Sequence, residues 1–381
     1  MRRFDYILLL MSFALTVQAV QAQNDSVSVK LVTLSPGDEV FSVFGHSEVR
    51  VTWEGNDLYF NYGVFDFDEP NFLLKFVLGN ADYMCVAMPK QFAHIGLDGR
   101  RMVEQDLNLT QEQAIKVRNH LLNNIHPLNS KYRYKYLGDN CATRTRDILE
   151  NFTDSLQYPA MTDTVTYRDM LADCTRNFPW EHFGIDLLLG ADVDTVITIR
   201  QQMFMPMAMM KVMADATVMR DGKRVPLVTA THTEIEANDV VDSINWVTHP
   251  LTIALIFLAL VTAVTIADLK RHTVSRWLDF GVCTVYSMAG SILFFLMFVC
   301  DREATFPNYN ALWVNMFYFI PLALMWSRRT RKALRYYYMA NGLVVALTII
   351  AWPVIPQVAN VAAFPLMIVP VLRAIAHMRA K

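Results

Sequence analysis

Cys141 and His46 are the two residues that the sequence sets apart for chemistry. Gly138-Asp139-Asn140 precedes Cys141, and Ala142–Phe152 reads as a helix. Asp139 or Asn140 is therefore the N-cap, and Cys141 falls in the first helical turn. A thiolate placed there faces unpaired backbone N–H groups and the positive end of the helix dipole, which favours the nucleophilic form. Arg144 and Arg146 add positive potential from the same segment. The competing reading is a buried structural cysteine, the usual fate of a free thiol. A cysteine nucleophile also needs a base that is distant in sequence and adjacent in space. His46, in Phe44-Gly45-His46-Ser47 within a strand-like stretch, fits that need. A third group would orient the ring and fix its tautomer. Asn61 suits the role, on the strand expected to pair with the His46 strand, and so do Tyr59 and Tyr62. His94, His120, His126, His182 and His232 lack so clear a strand setting, and His120 is expected on a helix surface. No HExxH or Cys/His cluster has metal-ligand spacing, so a metal mechanism is disfavoured and no cofactor is expected.

The elements that must hold these residues begin with strands. Val27–Leu34 alternates, and Val40–Trp53 and Leu58–Phe67 are rich in β-branched and aromatic residues. Glu54-Gly55-Asn56-Asp57 between them is a hairpin turn signal. Leu73–Leu78, Tyr83–Met88 and Met102–Leu107 suggest further strands. Thr110-Gln111-Glu112-Gln113 has the spacing of a capping box, and the helix it opens should run to about Asn124, before His126-Pro127. Strands followed by helices indicate an α+β domain.

The chain has 381 residues, of which 53% are apolar and 18% charged, with a mean hydropathy of +0.23. A net charge of −2 disfavours a nucleic-acid binder, and five cysteines without a CxxC pair argue against a disulfide scaffold or zinc ribbon. The hydrophobicity is concentrated at the ends. Residues 1–22 read as a signal peptide, with Arg2 and Arg3, an apolar core over Tyr6–Val17, and Val20-Gln21-Ala22 as the cleavage site. An uncleaved first membrane helix is the alternative. From 249 to 381, apolar runs at about 251–267, 279–300, 311–326, 337–354 and 357–372 suggest an all-α polytopic membrane domain of about five helices. Lys270, Arg271 and Arg276 fall in one connection, Arg328, Arg329, Arg331, Lys332 and Arg335 in another, and Arg373, Arg379 and Lys381 in the tail. By the positive-inside rule these are cytoplasmic, which puts residues 23–248 in the periplasm and the C-terminus in the cytoplasm.

The strand GHS, then YFNYGVFDFDEPNFLLKFVLG, RMVEQDLNLT and YRYKYLGDNCATRTRDIL together resemble the bacteroidete lipoprotein N-acyltransferase family. The resemblance spans about 28–235 and extends into the C-terminal spans around FPNYNALW. A histidine before a cysteine that opens a helix after Asn also resembles the permuted papain-like superfamily, which includes lecithin:retinol acyltransferase-like enzymes. The resemblance implies a permuted papain-like α+β domain in the periplasm, held by a multi-pass inner-membrane domain, with the lipid bilayer as a partner. It further implies acyl transfer from a phospholipid donor, through a Cys141 thioester, to the amine of a diacylated lipoprotein acceptor, with His46 as base. Asn140, Arg144 and Asp66 match surrounding motif positions and, with Tyr62, are candidates for substrate binding. The loop after the second span departs from the expected acidic residue followed by His-Pro. Asp301-Arg302-Glu303 stands there, leaving Asp301, Asn308 and Asn310 as candidate rim residues.

Three further expectations attach to particular residues. The Met-rich run Met203–Met219 reads either as an adaptable acyl groove or as ordinary core. Trp246 and Trp313 suit the membrane interface, and Cys85 and Cys174 would be free to pair in an oxidising compartment. Two other functions use the same features: a membrane-anchored cysteine peptidase or amidase, because a thioester passes to water as well as to an amine, and a non-catalytic envelope scaffold.

Overall fold

The strand β1 (Ser28–Leu34) pairs with β2 (His46–Trp53), which turns tightly into β3 (Asn56–Val64). Glu54 and Gly55 alone make this turn, both at positive φ (39° and 78°), so Asn56 and Asp57 belong to the ladder rather than to the loop. The molecule is described here by a computed structural model covering residues 26–380 except 39–41, 67–69, 94–98, 162–163, 238–243 and 301–302. The expected signal peptide, the start of the Val40–Trp53 segment, His94 and Asp301 lie outside the described residues.

After β3 comes α1 (Phe72–Val77), where the apolar run Leu73–Leu78 suggested a strand. Five apolar residues in a stretch of six fit either period. The chain here is turned by Asn71 in the left-handed region (φ 61°) and released at Gly79 (φ 77°), which leaves room for one helical segment only. Then follow β4 (Asp82–Pro89), β5 (Met102–Leu107) and α2 (Gln111–Asn124). The capping box at Thr110 and Gln113 is present in full, and α2 ends at Asn124 as its sequence suggests. Next are β6 (Lys131–Arg133), α3 (Cys141–Phe152), α4 (Tyr167–Thr175), α5 (Pro179–Leu188) and α6 (Pro206–Ala214). A small β7 (Thr217–Arg220) and β8 (Lys223–Pro226) hairpin leads to β9 (Val228–Ile235). Among the described residues the main sheet is antiparallel in the order β6-β4-β3-β2-β1-β5-β9.

One face of the sheet packs Val29, Val49, Val51, Phe60 and Tyr62 against α2 and α3. The Met-rich run belongs to this core. Met203, Met209 and Met213 are buried against Leu31, Ala142 and Leu149, so the core reading is the one the fold uses for these three. The opposite face buries Arg50 between Asp57 and Glu104, with the Tyr59 hydroxyl donating to Glu104. Tyr59 is thereby committed away from the imidazole. A buried charge of this kind is tolerated only when its partners remain in place.

The rest of the chain is helical. α7 (Pro250–Arg271) leads away from the sheet, and α8 (Arg276–Phe298) returns. The run 311–326 is not a continuous helix. Asn308 and Asn315 cap two short 3-10 turns, and only α9 (Phe319–Leu324) is α-helical. This broken segment nevertheless passes from Trp313, beside Tyr286, to Trp326, beside Trp277 at the far end of α8. α10 (Arg331–Ala351) and α11 (Ala363–Arg379) complete the unit. The segments Pro250–Arg271, Arg276–Phe298 and Arg331–Val354 are long and apolar enough to cross a membrane. At the end far from the sheet, Arg373 of α11 is clamped by Asp279 (2.6 Å) and Asp268 (2.9 Å), and His377 lies 2.8 Å from Asp279. Charges inside an apolar bundle persist when paired in this way.

Candidate active site

Cys141 opens α3, and the cap beneath it is complete. The Asn140 side chain accepts from the Thr143 N–H (2.9 Å), while the Thr143 hydroxyl accepts from the Asn140 N–H (2.7 Å). The Asn140 amide also donates to the carbonyls of Tyr136 (2.7 Å) and Phe204 (2.9 Å). Such a cap contributes about 1 kcal/mol to the helix end. Asn140 is buried with its polar atoms engaged, so its place is that of a cap rather than a surface for ligand.

His46 is the first residue of β2. Gly45, at φ 78°, turns the chain into it, and a Cβ there would meet the Leu34 carbonyl at 2.8 Å. His46 and Glu48 share one sheet face by strand alternation, and Asn61 is directly opposite Glu48 in the ladder. The result is that Asn61 Oδ1 lies 2.7 Å from His46 Nε2. This leaves Nδ1 as the ring nitrogen able to face the Cys141 thiol, with which the imidazole interacts electrostatically. The β-bulge at Gly63 (φ 92°) carries β3 past the nucleophile, with its Cβ position 3.9 Å from the Cys141 Cβ and 3.6 Å from the Tyr134 ring. Thus a cysteine on a helix start, a histidine on a strand and an amide on the paired strand come together.

The electrostatics favour an ion pair. Burial pushes the Cys141 thiol up, but the His46 charge and the nearby backbone N–H groups of Ser47 and Ala142 outweigh it and hold the thiol below its ordinary value. Burial works against the His46 charge, yet the Cys141 thiolate, Glu48 and Asn61 raise the imidazole to about 9. Cys141 is 7% exposed and the His46 side chain 22%, so the imidazole is the more accessible of the two. The backbone N–H groups of Ser47 and Ala142 near the sulfur favour its thiolate form.

The other candidates have distinct positions. Arg144 is held by Asp139 through two bonds (2.6 and 2.8 Å) and lies 3.7 Å from the Tyr132 ring centroid. Tyr62 is buried opposite Cys85, its ladder partner. Both line a polar cleft of about 370 Å³ with His120, Asn124, Asp139 and Asp147. His120 is half-buried rather than a plain surface residue. Burial, and then Arg144, lower its pKa. Asp66 is exposed just beyond β3. Cys85 and Cys174 are both free thiols in separate clusters, so no disulfide joins them. Trp246 is exposed beside the first long helix, whereas Trp313 is buried with its indole N–H on Asn310, inside the helical unit and not at an interface.

Asn308 and Asn310 are buried struts rather than rim residues. Asn308 donates to the carbonyls of Leu187 (2.9 Å) and Leu188 (3.0 Å), and Asn310 to those of Asp186 and Leu187 (both 3.1 Å). They satisfy the orphan carbonyls at the end of α5 and so dock the sheet domain on the helical unit. Two neighbours of the site escaped the sequence. Glu48 Oε1 is 3.8 Å from His46 Nε2, a proximity that the i, i+2 rule of strands would have revealed. Glu303 accepts from the N–H groups of Leu137 (3.1 Å) and Gly138 (3.2 Å), in the loop that leads into Cys141. No local pattern announces that contact. Among the described residues, no three His, Cys, Asp or Glu side chains converge to hold a metal ion.

These observations define an α+β domain in which a cysteine, a histidine and an amide come together, seated on a helical unit with segments able to cross a membrane. The comparisons agree with that class. Residues 16–173 match the Lnb N-terminal periplasmic domain and residues 242–381 match the Lnb transmembrane domain, together most of the chain. The protein belongs to the Lnb family. No curated protein and no solved structure matches it.

Proposed function

We propose that the protein is an acyltransferase that moves an acyl chain from a phospholipid to the N-terminal amine of a diacylated lipoprotein. The observation that carries this reading is the Cys141–His46–Asn61 constellation in a membrane-family chain. The Cys141 thiolate attacks the ester carbonyl, and the Ser47 and Ala142 N–H groups stabilise the oxyanion. The C–O bond then breaks, and the His46 imidazolium gives its proton to the departing lysophospholipid alkoxide. In the second half the lipoprotein amine attacks the thioester, and His46 takes a proton from the nitrogen. The C–S bond breaks, the amide forms, and the thiolate–imidazolium pair is restored. Asn61 holds the imidazole on one tautomer throughout.

In this reading residues 23–248 work in the periplasm, at the outer face of the inner membrane. The helical unit crosses five times, its third passage being the broken 309–326 segment, and the C-terminus is cytoplasmic. Holding a lipid-directed site on the bilayer replaces a search in three dimensions by a local one. The test is mass spectrometry of lipoprotein N-termini in cells with the native chain and with Cys141→Ala. Loss of N-acylation in the variant is expected, and unchanged N-acylation would refute the proposal. A long-chain acyl adduct on Cys141 separates this reaction from peptide or amide hydrolysis.

A further inference from the structure

Helix α1 carries FLLKFV, and three of its side chains face outward: Leu74 is 59% exposed, Val77 43% and Phe76 42%. An exposed apolar cluster on a soluble domain marks a contact surface. What it contacts follows from its place. The Cys300 thiol donates to the Val77 carbonyl at 3.1 Å, and Cys300 follows directly on α8, one of the segments able to cross a membrane. Phe298 and Val299, at that end of α8, are themselves exposed. The apolar surface of the span therefore continues onto α1. The single charge in α1, Lys75, has an apolar stem of the kind that lets a cation reach the lipid headgroups from a buried backbone.

From α1 an unbroken file of aromatic rings leads inward. Phe72 stacks on Phe65 (centroids 5.5 Å), Phe65 meets Tyr83 edge-on (5.4 Å), and Tyr83 stacks on Tyr134 (4.4 Å). Tyr134 and Cys141 flank Gly63, the bulge residue that offers no side chain to separate them. The rings thus join a surface continuous with the span to the nucleophile. Neither the cap of α3 nor the dyad requires this file of rings.

We propose that α1 dips into the outer leaflet, and that the rings of Phe72, Phe65, Tyr83 and Tyr134 form the wall along which a phospholipid acyl chain reaches Cys141. The inference rests on the acyl-transfer reading above and names the route by which its donor enters. The experiment uses the full chain in nanodiscs containing a phosphatidylethanolamine with a mid-chain diazirine. Photolysis of the Cys141→Ser variant, followed by peptide mapping, is expected to place lipid adducts on α1 and on Tyr83 or Tyr134. Adducts confined to α7, α8 and α10, or reaching α1 but neither tyrosine, would overturn the route. Separately, Leu74→Asp combined with Val77→Asp should slow acyl-adduct formation on Cys141 from bilayer phospholipid by about tenfold or more, given the apolar surface withdrawn from lipid. Alkylation of Cys141 by iodoacetamide should be unchanged, which shows that the fold and dyad are intact. An unchanged acylation rate in the double variant would also overturn the route. Adducts along the file without any acyl-cysteine in the native chain would leave the route standing and refute the transfer reaction. Acyl-cysteine without adducts along the file would do the reverse.

Discussion

Replacing His46 by alanine tests whether the imidazole keeps Cys141 ionised. Two unit charges about 4 Å apart at an effective dielectric of about 20 attract by about 4 kcal/mol, which is about a thousandfold in thiolate population. Cys85 supplies an internal reference. It is buried in the same core without an imidazole, and burial pushes its thiol up to about 12. In His46→Ala, burial of Cys141 acts unopposed except by the Ser47 and Ala142 N–H groups, so its thiol should move from below its ordinary value to above it. A more basic thiolate is intrinsically more nucleophilic, with a Brønsted slope of about 0.4–0.5, which returns roughly half of that loss on a logarithmic scale. The net expectation at pH 7 is a fall of about thirty- to a hundredfold in the alkylation rate of Cys141 by iodoacetamide, followed by peptide mass spectrometry. The sign of the pH dependence is also determined. In the native chain the thiolate is present from below the usual thiol range, and the imidazolium persists until His46 titrates at about 9. Acyl transfer should therefore decline above pH 9, when the proton needed by the leaving alkoxide is lost, while alkylation should not. A His46→Ala profile that superimposes on the native one would refute the ion pair and the general-acid role with it.

Asn61→Ala removes a hydrogen bond to a charged imidazole, worth about 1.5–3 kcal/mol. Acyl-adduct formation should fall about ten- to a hundredfold with little change in thermal stability, measured by single-turnover kinetics and a melting curve. Gly190→Ala would set a Cβ 2.3 Å from the Pro307 carbonyl oxygen at the junction of the two domains. Overpacking there should destabilise by about 1–3 kcal/mol, read as a lower unfolding midpoint in detergent. Glu303→Ala should slow acylation about tenfold, because the Leu137 and Gly138 N–H groups lose a charged acceptor. Glu303→Gln, which keeps an acceptor oxygen, should recover most of the rate in the same assay.

What could be read in the sequence depended on whether the signal was local. The cap at Asn140 and the capping box at Thr110 and Gln113 are written within four residues, and α2 and α3 begin where those residues indicate. The pairing of Asn61 with the His46 strand follows from one short turn, and even there Glu54-Gly55 proved sufficient where four turn residues were expected. The strand expected at Leu73–Leu78 is a helix because so short a run, mostly apolar, holds no period, and its fate is decided by backbone at Asn71 and Gly79. The 311–326 run has the apolarity of a span, but Asn315 caps a new turn within it, and Gly290 of α8 admits the Asn315 backbone so closely that any Cβ would collide at 2.1 Å. Trp313 went inward because Asn310, three residues earlier, supplies its buried acceptor. Glu303 was illegible for a different reason: its partners are 166 and 165 residues away in the chain.

That last contact changes how the helical unit should be understood. A domain that needed only an anchor would be tied to it by a linker, and its loops would satisfy themselves. Here the α5 carbonyls are completed by Asn308 and Asn310, the Leu189 carbonyl accepts from Gln357, and the Gly190 and Ala191 N–H groups donate to the Ala304 and Pro307 carbonyls. Without the helical unit these groups would have to find water or new partners, a loss of about 1–3 kcal/mol for each one left buried and unsatisfied. Other cross-domain bonds involve the loop before Cys141 and helix α1. Glu303 holds the loop before Cys141, and Cys300 holds α1, from which the ring file reaches Tyr134 beside the same sulfur. Only two residues separate Cys300 from Glu303 in the chain. The short connection that leaves α8 therefore touches both the segment carrying the nucleophile and the apolar helix beside it, so a shift of that connection would alter the reach of Cys141 and the position of α1 together.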